Sequence, residues 1–479
     1  MFRLIVLFLF IFSFDLKAQI LSTVTTFGSN PGNLEMLYYA PSNLTGTIPL
    51  VVAMHGCTQN ATEYSTQSGW STLAQNHSFI VIYPQQKTIN NSNKCFNWFM
   101  DTDQNKDQGE AMSIKQMIDY IKGLYSIDNN KIFVTGLSAG ACMSNVMMAC
   151  YPDVFSKGAI FAGVPYKAAT DVTGLNLAMS GSVSKTPTQW GDLVRAQNSS
   201  YSGSFPKVAV FQGATDFVVN ANNATEIIKQ WTNVNGVDET SDETQNSFAD
   251  NTFVTRKIYK DTNEKSVAEL YSISSFGHAL ALDTGSCYQH CGATGTYAYD
   301  INFNSTFWAA DYFSILNAPY SIYGQTEIDA NQTDASYSVP NVTGSSYNWF
   351  VPDGSTISNG QGTSAVTVNF GTNGGIISVT ETNSVGCKIG PINLNVTLKP
   401  SSVYDNVNTQ TKIIYHKEAA QLEIISTMNF DNITVYNLQG RAVLKTHQNM
   451  IDISNLSPGI YCLKIISSGI SVTYKLLVF

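Results

Sequence analysis

Between residues 20 and 317, short apolar runs alternate with stretches in which apolar side chains recur at helical spacing. The runs 50–54, 79–83, 132–134 and 208–211 read as buried strands, being short, continuous and rich in β-branched and aromatic residues. Between the second and third, Ile114, Met117, Ile118 and Ile121 fall on one face of a helix expected over 112–124. This alternation predicts an α/β fold, a mostly parallel, doubly wound sheet covered on both faces. Such a sheet binds its ligand at the carboxyl ends of its strands.

Beyond Pro319 the helical spacing stops. Val366, Val368 and Phe370, then Ile377 and Val379, then Leu394, Val396 and Leu398 alternate with polar residues. Pro352-Asp353-Gly354 and Thr372-Asn373-Gly374-Gly375 supply turns between them, which predicts a small all-β sandwich. A break at Lys399-Pro400-Ser401-Ser402 leads into a second all-β segment with strands at 433–436, 460–463 and 474–478. The expected organisation is a leader at 1–18, an α/β domain at 19–317, a β-sandwich at 318–399 and a β-domain at 400–479.

Composition narrows the function. The 479 residues are 43% hydrophobic and 13% charged, enough apolar material for several cores. A net charge of −9 argues against a nucleic-acid partner. Arg3, the apolar run 4–14 and Leu16-Lys17-Ala18 before Gln19 read as a signal peptide cleaved after Ala18. That run falls short of the roughly 20 residues a membrane span needs.

Export makes disulfides expected among the eight cysteines. Cys57, Cys95, Cys142, Cys150, Cys287 and Cys291 precede residue 300, and their spacing leaves the pairing open; Cys387 and Cys462 stand apart. A zinc site at Cys287, His290 and Cys291 lacks paired spacing and a clear fourth ligand, so no metal is expected.

The candidate chemistry centres on Gly136-Leu137-Ser138-Ala139-Gly140, between the strand at 132–134 and the helix-compatible stretch 141–149. That strand, turn and helix is what a nucleophile elbow requires, with small residues letting the turn tighten around Ser138. A serine nucleophile needs a histidine base and an acid to orient it. In the α/β-hydrolase order of Ser, then Asp or Glu, then His, only His278 and His290 follow the serine within the α/β region. His278 is preferred, because it follows the expected strand 269–273, whereas His290 lies in a Gly-rich loop between cysteines. Asp216 in Gly213-Ala214-Thr215-Asp216 directly follows the strand 208–211 and is the preferred acid, with Asp261 and Asp283 as competitors. His55-Gly56-Cys57-Thr58-Gln59 follows the first strand, where this kind of fold places one oxyanion donor; the backbone N–H groups of Cys57 and Ala139 are the candidates. Cys57 itself has no histidine and acid arranged to make it a thiol nucleophile.

Six ordered segments give the region 30–317 a specific resemblance. His55-Gly56-Cys57-Thr58-Gln59, Cys95-Phe96-Asn97-Trp98-Phe99, Gly136-Leu137-Ser138-Ala139-Gly140, Ala162-Gly163-Val164-Pro165-Tyr166, Gln189-Trp190-Gly191-Asp192 and Gly277-His278-Ala279 resemble secreted esterases of the polyhydroxybutyrate depolymerase family, which includes feruloyl and acetylxylan esterases. The resemblance implies Ser138, Asp216 and His278 as a triad and a Cys57–Cys95 disulfide tying down the oxyanion loop. Phe96 departs from the family's more usual Trp, a difference expected to bear on the substrate cleft. Tyr347-Asn348-Trp349-Phe350-Val351-Pro352 with Gly360-Gln361-Gly362 resembles PKD-like modules. The segments 435–441 and 453–461 resemble the C-terminal sorting domain of type IX secretion, which implies that machinery as a partner.

The resulting expectation is a secreted serine carboxylic-ester hydrolase that needs no cofactor and acts on a polymer-borne ester. A xylan-linked feruloyl or acetyl ester is the first reading and a polyester the second. The rival from another class is a surface adhesion protein on a hydrolase scaffold relieved of catalysis. Trp349 is expected in the sandwich core, not as a sugar platform.

Overall fold

The computed structural model describes residues 20–478 except 43, 286, 288, 318–319, 385, 400–410, 417–419, 427–430 and 468–469. The expected signal peptide lies outside the described residues. The chain divides into two compact units, Met1–Pro319 with Glu381–Gly390, and Tyr320–Thr380 with Pro391–Phe479.

The first unit is built on a ten-stranded sheet. Its strands are β1 (Ser22–Val24), β2 (Glu35–Tyr39), β3 (Ile48–Met54), β4 (Ile80–Gln85), β5 (Ile127–Leu137), β6 (Lys157–Phe161), β7 (Lys207–Gly213), β8 (Glu243–Asn246), β9 (Val254–Lys260) and β10 (Ser266–Ile273). The spatial order is β1-β2-β4-β3-β5-β6-β7-β10-β9-β8. From β4 to β10 the neighbours pair in parallel, while β1, β2, β9 and β8 add antiparallel edges.

The helices are α1 (Ala61–Ser68), α2 (Trp70–His77), α3 (Gly109–Leu124), α4 (Ala139–Cys150), α5 (Val172–Met179), α6 (Pro187–Gln197), α7 (Asn222–Val234) and α8 (Ser305–Phe313). Strand periodicity explains how they cover both faces. In β3, Leu50, Val52 and Met54 enter one core with Ile114, Val146 and Trp231 from α3, α4 and α7. Val51 and Ala53 enter the other, with Trp70 and Phe313 from α2 and α8. The runs 50–54, 79–83, 132–134 and 208–211 within the central strands are therefore apolar at every position, the pattern that marked them in the sequence. Two short strands, β11 (Leu280–Leu282) and β12 (Ala298–Asp300), pair beside this sheet's carboxyl-end loops.

The second unit contains only strands among its described residues. Its first part has β13 (Glu327–Ile328), β14 (Ala335–Ser338), β15 (Ser346–Phe350), β16 (Thr356–Asn359), β17 (Ala365–Asn369), β18 (Gly375–Thr382) and β19 (Lys388–Leu398), in sheets β13-β19-β18-β15 and β14-β17-β16. Trp349 is buried there and donates its indole N–H to Thr363 O at 2.9 Å, so it is a core residue. The second part has β20 (Thr411–His416), β21 (Gln421–Ser426), β22 (Asn432–Asn437), β23 (Ala442–Thr446), β24 (Met450–Asp452), β25 (Gly459–Ser467) and β26 (Ile470–Val478), in sheets β20-β21-β24 and β23-β22-β25-β26. Residues from both of these sheets share one core.

Cysteine pairing follows three dimensions and not spacing. Cys57 is bonded to Cys95, as the resemblance implied, and Cys287 to Cys387, 100 residues away. Cys387, which stands apart in the sequence, is thus paired, and Cys287 is removed from any thiolate zinc site. Cys142, Cys150 and Cys291 are buried free thiols and Cys462 is an exposed one.

Candidate active site

Ser138 occupies the tight turn between β5 and α4, with φ 56° and ψ −118°. That left-handed φ is uncommon for a residue with a side chain, and its persistence at a strand end marks a backbone held in place by its surroundings. The turn is anchored by Ser138 N–H donating to Phe161 O at 2.9 Å. Gly140 makes the geometry possible: a Cβ there would lie 2.2 Å from Met54 O. All twelve residues of α4 are buried, so the helix that follows the serine is locked into the core.

Asp216 and His278 come from the loops after β7 and β10, which are neighbours in the sheet. His278 Nδ1 donates to Asp216 Oδ2 at 2.8 Å. Asp216 Oδ1 accepts from the backbone N–H of Val218 and of Val219, both at 2.8 Å, and Gln212 Nε2 approaches Oδ2 at 3.3 Å. Burial pushes the Asp216 carboxyl up, but the hydrogen bond and charge of His278 and the two backbone donors outweigh it and hold the group below the usual carboxylate range. The two loops are also stitched together directly. Ala214 N–H donates to Ile273 O at 2.8 Å, and Thr215 donates to Phe276 O through both N–H, at 3.0 Å, and Oγ1, at 2.9 Å. This approach requires Gly213, where a Cβ would lie 2.3 Å from Phe276 O.

Both competitors for the acid have other employment. Asp261 folds a turn, accepting from the N–H groups of Asn263 and Lys265 at 2.8 and 3.0 Å. Asp283 pairs with His290 at 3.0 Å, and neither lines the cleft that holds Ser138 and His278.

That cleft has a volume of about 360 Å³. Ser138, Ala139, Cys57 and His278 line it together, with Trp98, Phe99, Leu175, Met179, Val218 and Tyr297 among its walls. No Asp, Glu, Lys or Arg is among the described residues lining it, which suits a neutral, largely apolar ligand. The N–H groups of Cys57 and Ala139 are taken by no acceptor among the described residues. Ala139 opens α4, so its N–H is one of the orphan donors at the positive end of the helix.

The loop carrying Cys57 is braced by residues to which the sequence reading gave no such role. His55 is buried; its Nε2 accepts from Gln86 N–H at 3.1 Å and its Nδ1 donates to Gly56 O at 2.7 Å. Burial, outweighing the Gly56 hydrogen bond, lowers its pKa to about 4 and keeps the imidazole neutral. Phe96 does not line the cleft: it packs on the His55 ring at 4.9 Å, so the departure from Trp bears on the loop's support and not on the substrate wall. Glu110, buried on α3, was also missed. It sits on the apolar face, in helical register with Ile114, Met117 and Ile121, and a carboxylate in that register was the available signal. Burial pushes it up to about 8, and the charge of Asp103 adds to the effect.

Two segments of the resemblance lie away from the cleft. Trp190 donates its indole N–H to Glu226 at 2.6 Å, joining α6 to α7, and Tyr166 N–H donates to Gln230 Oε1 at 2.8 Å. Their role is to brace helices.

Residues 34–252 match the family model described as "Esterase PHB depolymerase". Residues 315–396 match a PKD-like domain and 416–479 a secretion system C-terminal sorting domain. The chain is 46% identical over 298 residues to a poly(3-hydroxyalkanoate) depolymerase C of Paucimonas lemoignei, spanning 62% of this chain and 70% of that protein. It is 33% identical over 285 residues to a feruloyl esterase B of Talaromyces stipitatus, spanning 58% and 77% respectively. Among solved structures, the acetyl xylan esterase from Aspergillus awamori superposes with a TM-score of 0.50 at 32% identity, covering 54% of this chain and 94% of that one. His278 lies beyond the segment matched by the esterase model, so its place in the site rests on the geometry above.

Proposed function

The chain belongs to the esterase PHB depolymerase family and is a carboxylic-ester hydrolase, and from that premise we propose that Ser138, His278 and Asp216 carry the reaction through an acyl-enzyme. His278 Nε2 takes the Ser138 hydroxyl proton as Oγ attacks the ester carbonyl. The N–H groups of Cys57 and Ala139 hold the developing oxyanion. His278 then gives the proton to the leaving alkoxide, and water repeats the sequence on the acyl-serine. Asp216 keeps the Nδ1–H tautomer in place and stabilises the imidazolium. No step calls on a metal or organic cofactor.

The observation that carries this reading is the Asp216–His278 pair opening on the same uncharged cleft as the strained Ser138 turn. The intact acid and base argue against the adhesion alternative, because a scaffold without catalysis has no use for a desolvated Asp–His pair.

The substrate is an ester borne on a polymer, with feruloyl or acetyl groups on xylan as the first reading. A second reading, a polyester, is favoured by the 46% identity to the depolymerase and by apolar side chains around the cleft. Phe217 is 96% exposed beside Asp216, and Val172 and Leu177 are exposed on α5, whose Leu175 and Met179 line the cleft. Release of acetate and ferulate from arabinoxylan, measured beside release of 3-hydroxybutyrate from polymer film, separates the two: the faster release identifies the substrate, and failure to release any of the three contradicts both. Export begins with the signal peptide at 1–18, and residues 416–479 address the chain to type IX secretion machinery.

A further inference from the structure

A chain of buried polar groups runs from α3 to the loop carrying Cys57, and the hydrolytic steps above make no use of it. It begins at Glu110, which is 1% exposed. Glu110 Oε1 accepts from Gln86 Nε2 at 2.5 Å, and Oε2 accepts from Asn97 N–H at 2.8 Å. Two N–H donors therefore converge on one side chain, each meeting a different carboxyl oxygen of Glu110.

Gln86 passes the constraint on. Its Nε2 also donates to Cys95 O at 3.2 Å, and its Oε1 accepts from Lys87 N–H at 2.9 Å and Asn90 Nδ2 at 2.7 Å. With both amide hydrogens and both oxygen lone pairs engaged, the side chain cannot turn without leaving buried groups unpaired. Its backbone N–H then meets His55 Nε2 at 3.1 Å, which leaves the imidazole hydrogen on Nδ1, donated to Gly56 O at 2.7 Å.

The last acceptor is what gives the chain a function. Gly56 O belongs to the same peptide group as the Cys57 N–H. In a planar trans peptide the C=O and N–H point in opposite directions, so a hydrogen bond that fixes the oxygen also fixes the direction of the N–H. A donor on the carbonyl further polarises the amide, which strengthens it as a donor at its other end. Glu110 also holds the partner side of the Cys57–Cys95 disulfide, through Asn97 N–H and through Gln86 to Cys95 O.

We propose that Glu110 is a positioning residue for ester hydrolysis, which through Gln86 and His55 fixes the Gly56–Cys57 peptide plane and so aims the Cys57 N–H at the oxyanion. The proposal rests on the reading of Ser138 as nucleophile and Cys57 as oxyanion donor. Losing an oxyanion donor outright costs about 10²–10³ in kcat, and mis-aiming one costs at least about ten-fold.

The test is steady-state hydrolysis of p-nitrophenyl acetate by the full chain carrying Glu110→Gln, Gln86→Met, both, or Ser138→Ala, with folding checked by circular dichroism and thermal unfolding. Glu110→Gln turns an acceptor into a donor facing a donor; Gln86→Met removes the amide bonds while keeping the backbone N–H to His55. Each is expected to lower kcat at least about ten-fold with KM changed by less than about two-fold, since a donor aimed at the transition state affects kcat alone. General loosening of the cleft would raise KM as well. The double variant is expected to lose no more than the worse single variant, because the two residues act as one unit. Folded variants with wild-type kcat, a loss expressed in KM, or multiplicative losses in the double variant would each overturn the proposal, and Gln86→Met decides if Glu110→Gln does not fold. Wild-type turnover by Ser138→Ala would instead overturn the nucleophile assignment, so the two failures are distinguishable.

Discussion

His278 donates its Nδ1 hydrogen to Asp216 Oδ2 at 2.8 Å, and the two residues reach each other from loops that follow the paired strands β7 and β10. Sheet pairing and three hydrogen bonds between those loops hold the two side chains in register. Asp216→Asn is expected to lower kcat by up to about 10⁴, because an amide no longer selects the Nδ1–H tautomer. Asp261→Asn, in an exposed turn, is expected to leave kcat within about two-fold. Parallel kinetics with a chromogenic acetate ester check both.

The Cys57–Cys95 bond closes a loop with a sequence separation of 38. Replacing both cysteines by serine is expected to destabilise the esterase unit by about 3–4 kcal/mol through the entropy returned to the unfolded chain. Because the same bond ties down the loop proposed to carry an oxyanion donor, kcat is expected to fall in the protein that remains folded. Denaturant unfolding followed by kinetics below the transition separates the two effects.

His55 gives the fold a defined pH response. It titrates at about 4 when folded, against about 6.5 when unfolded, so between these values the unfolded chain binds the extra proton. The stability that neutral burial provides is complete above pH 6.5 and is lost as pH falls toward 4. Wild type is therefore expected to lose on the order of 2–3 kcal/mol relative to His55→Gln between pH 7 and pH 4.5, other groups cancelling in the comparison. Urea unfolding of both proteins at the two pH values gives the number; equal pH responses would mean that the imidazole is not buried neutral.

Gly140→Ala places a methyl group 2.2 Å from Met54 O, against backbone that cannot yield without moving β3 or the serine turn. A loss of about 1–3 kcal/mol is expected, with a fall in kcat beyond what stability explains. Thermal unfolding and kinetics on the same preparation measure both.

The central strands were legible because each buries both faces. Val51 and Val52 enter opposite cores, leaving no polar interruption in the run 50–54. The edges β8 and β9 were not, since Glu243–Asn246 and Val254–Lys260 carry polar and charged side chains on their open side. The serine, acid and histidine candidates could be placed by chain order and strand ends, because a parallel sheet gathers those ends on one edge. The supports could not. Glu110 and His55 are 55 residues apart in the sequence and meet only through Gln86, and the Cys287–Cys387 bond spans 100 residues. Periodicity reports which face a residue lies on, but not which distant residue faces it.

The most direct test of the central claim is covalent labelling of the full chain with a fluorophosphonate, followed by peptide mass mapping. A single adduct on Ser138 is expected, absent in Ser138→Ala and formed at least about a hundred-fold more slowly in His278→Ala. Labelling at another serine, or undiminished labelling of the Ser138→Ala protein, would contradict the assignment of Ser138 as the nucleophile.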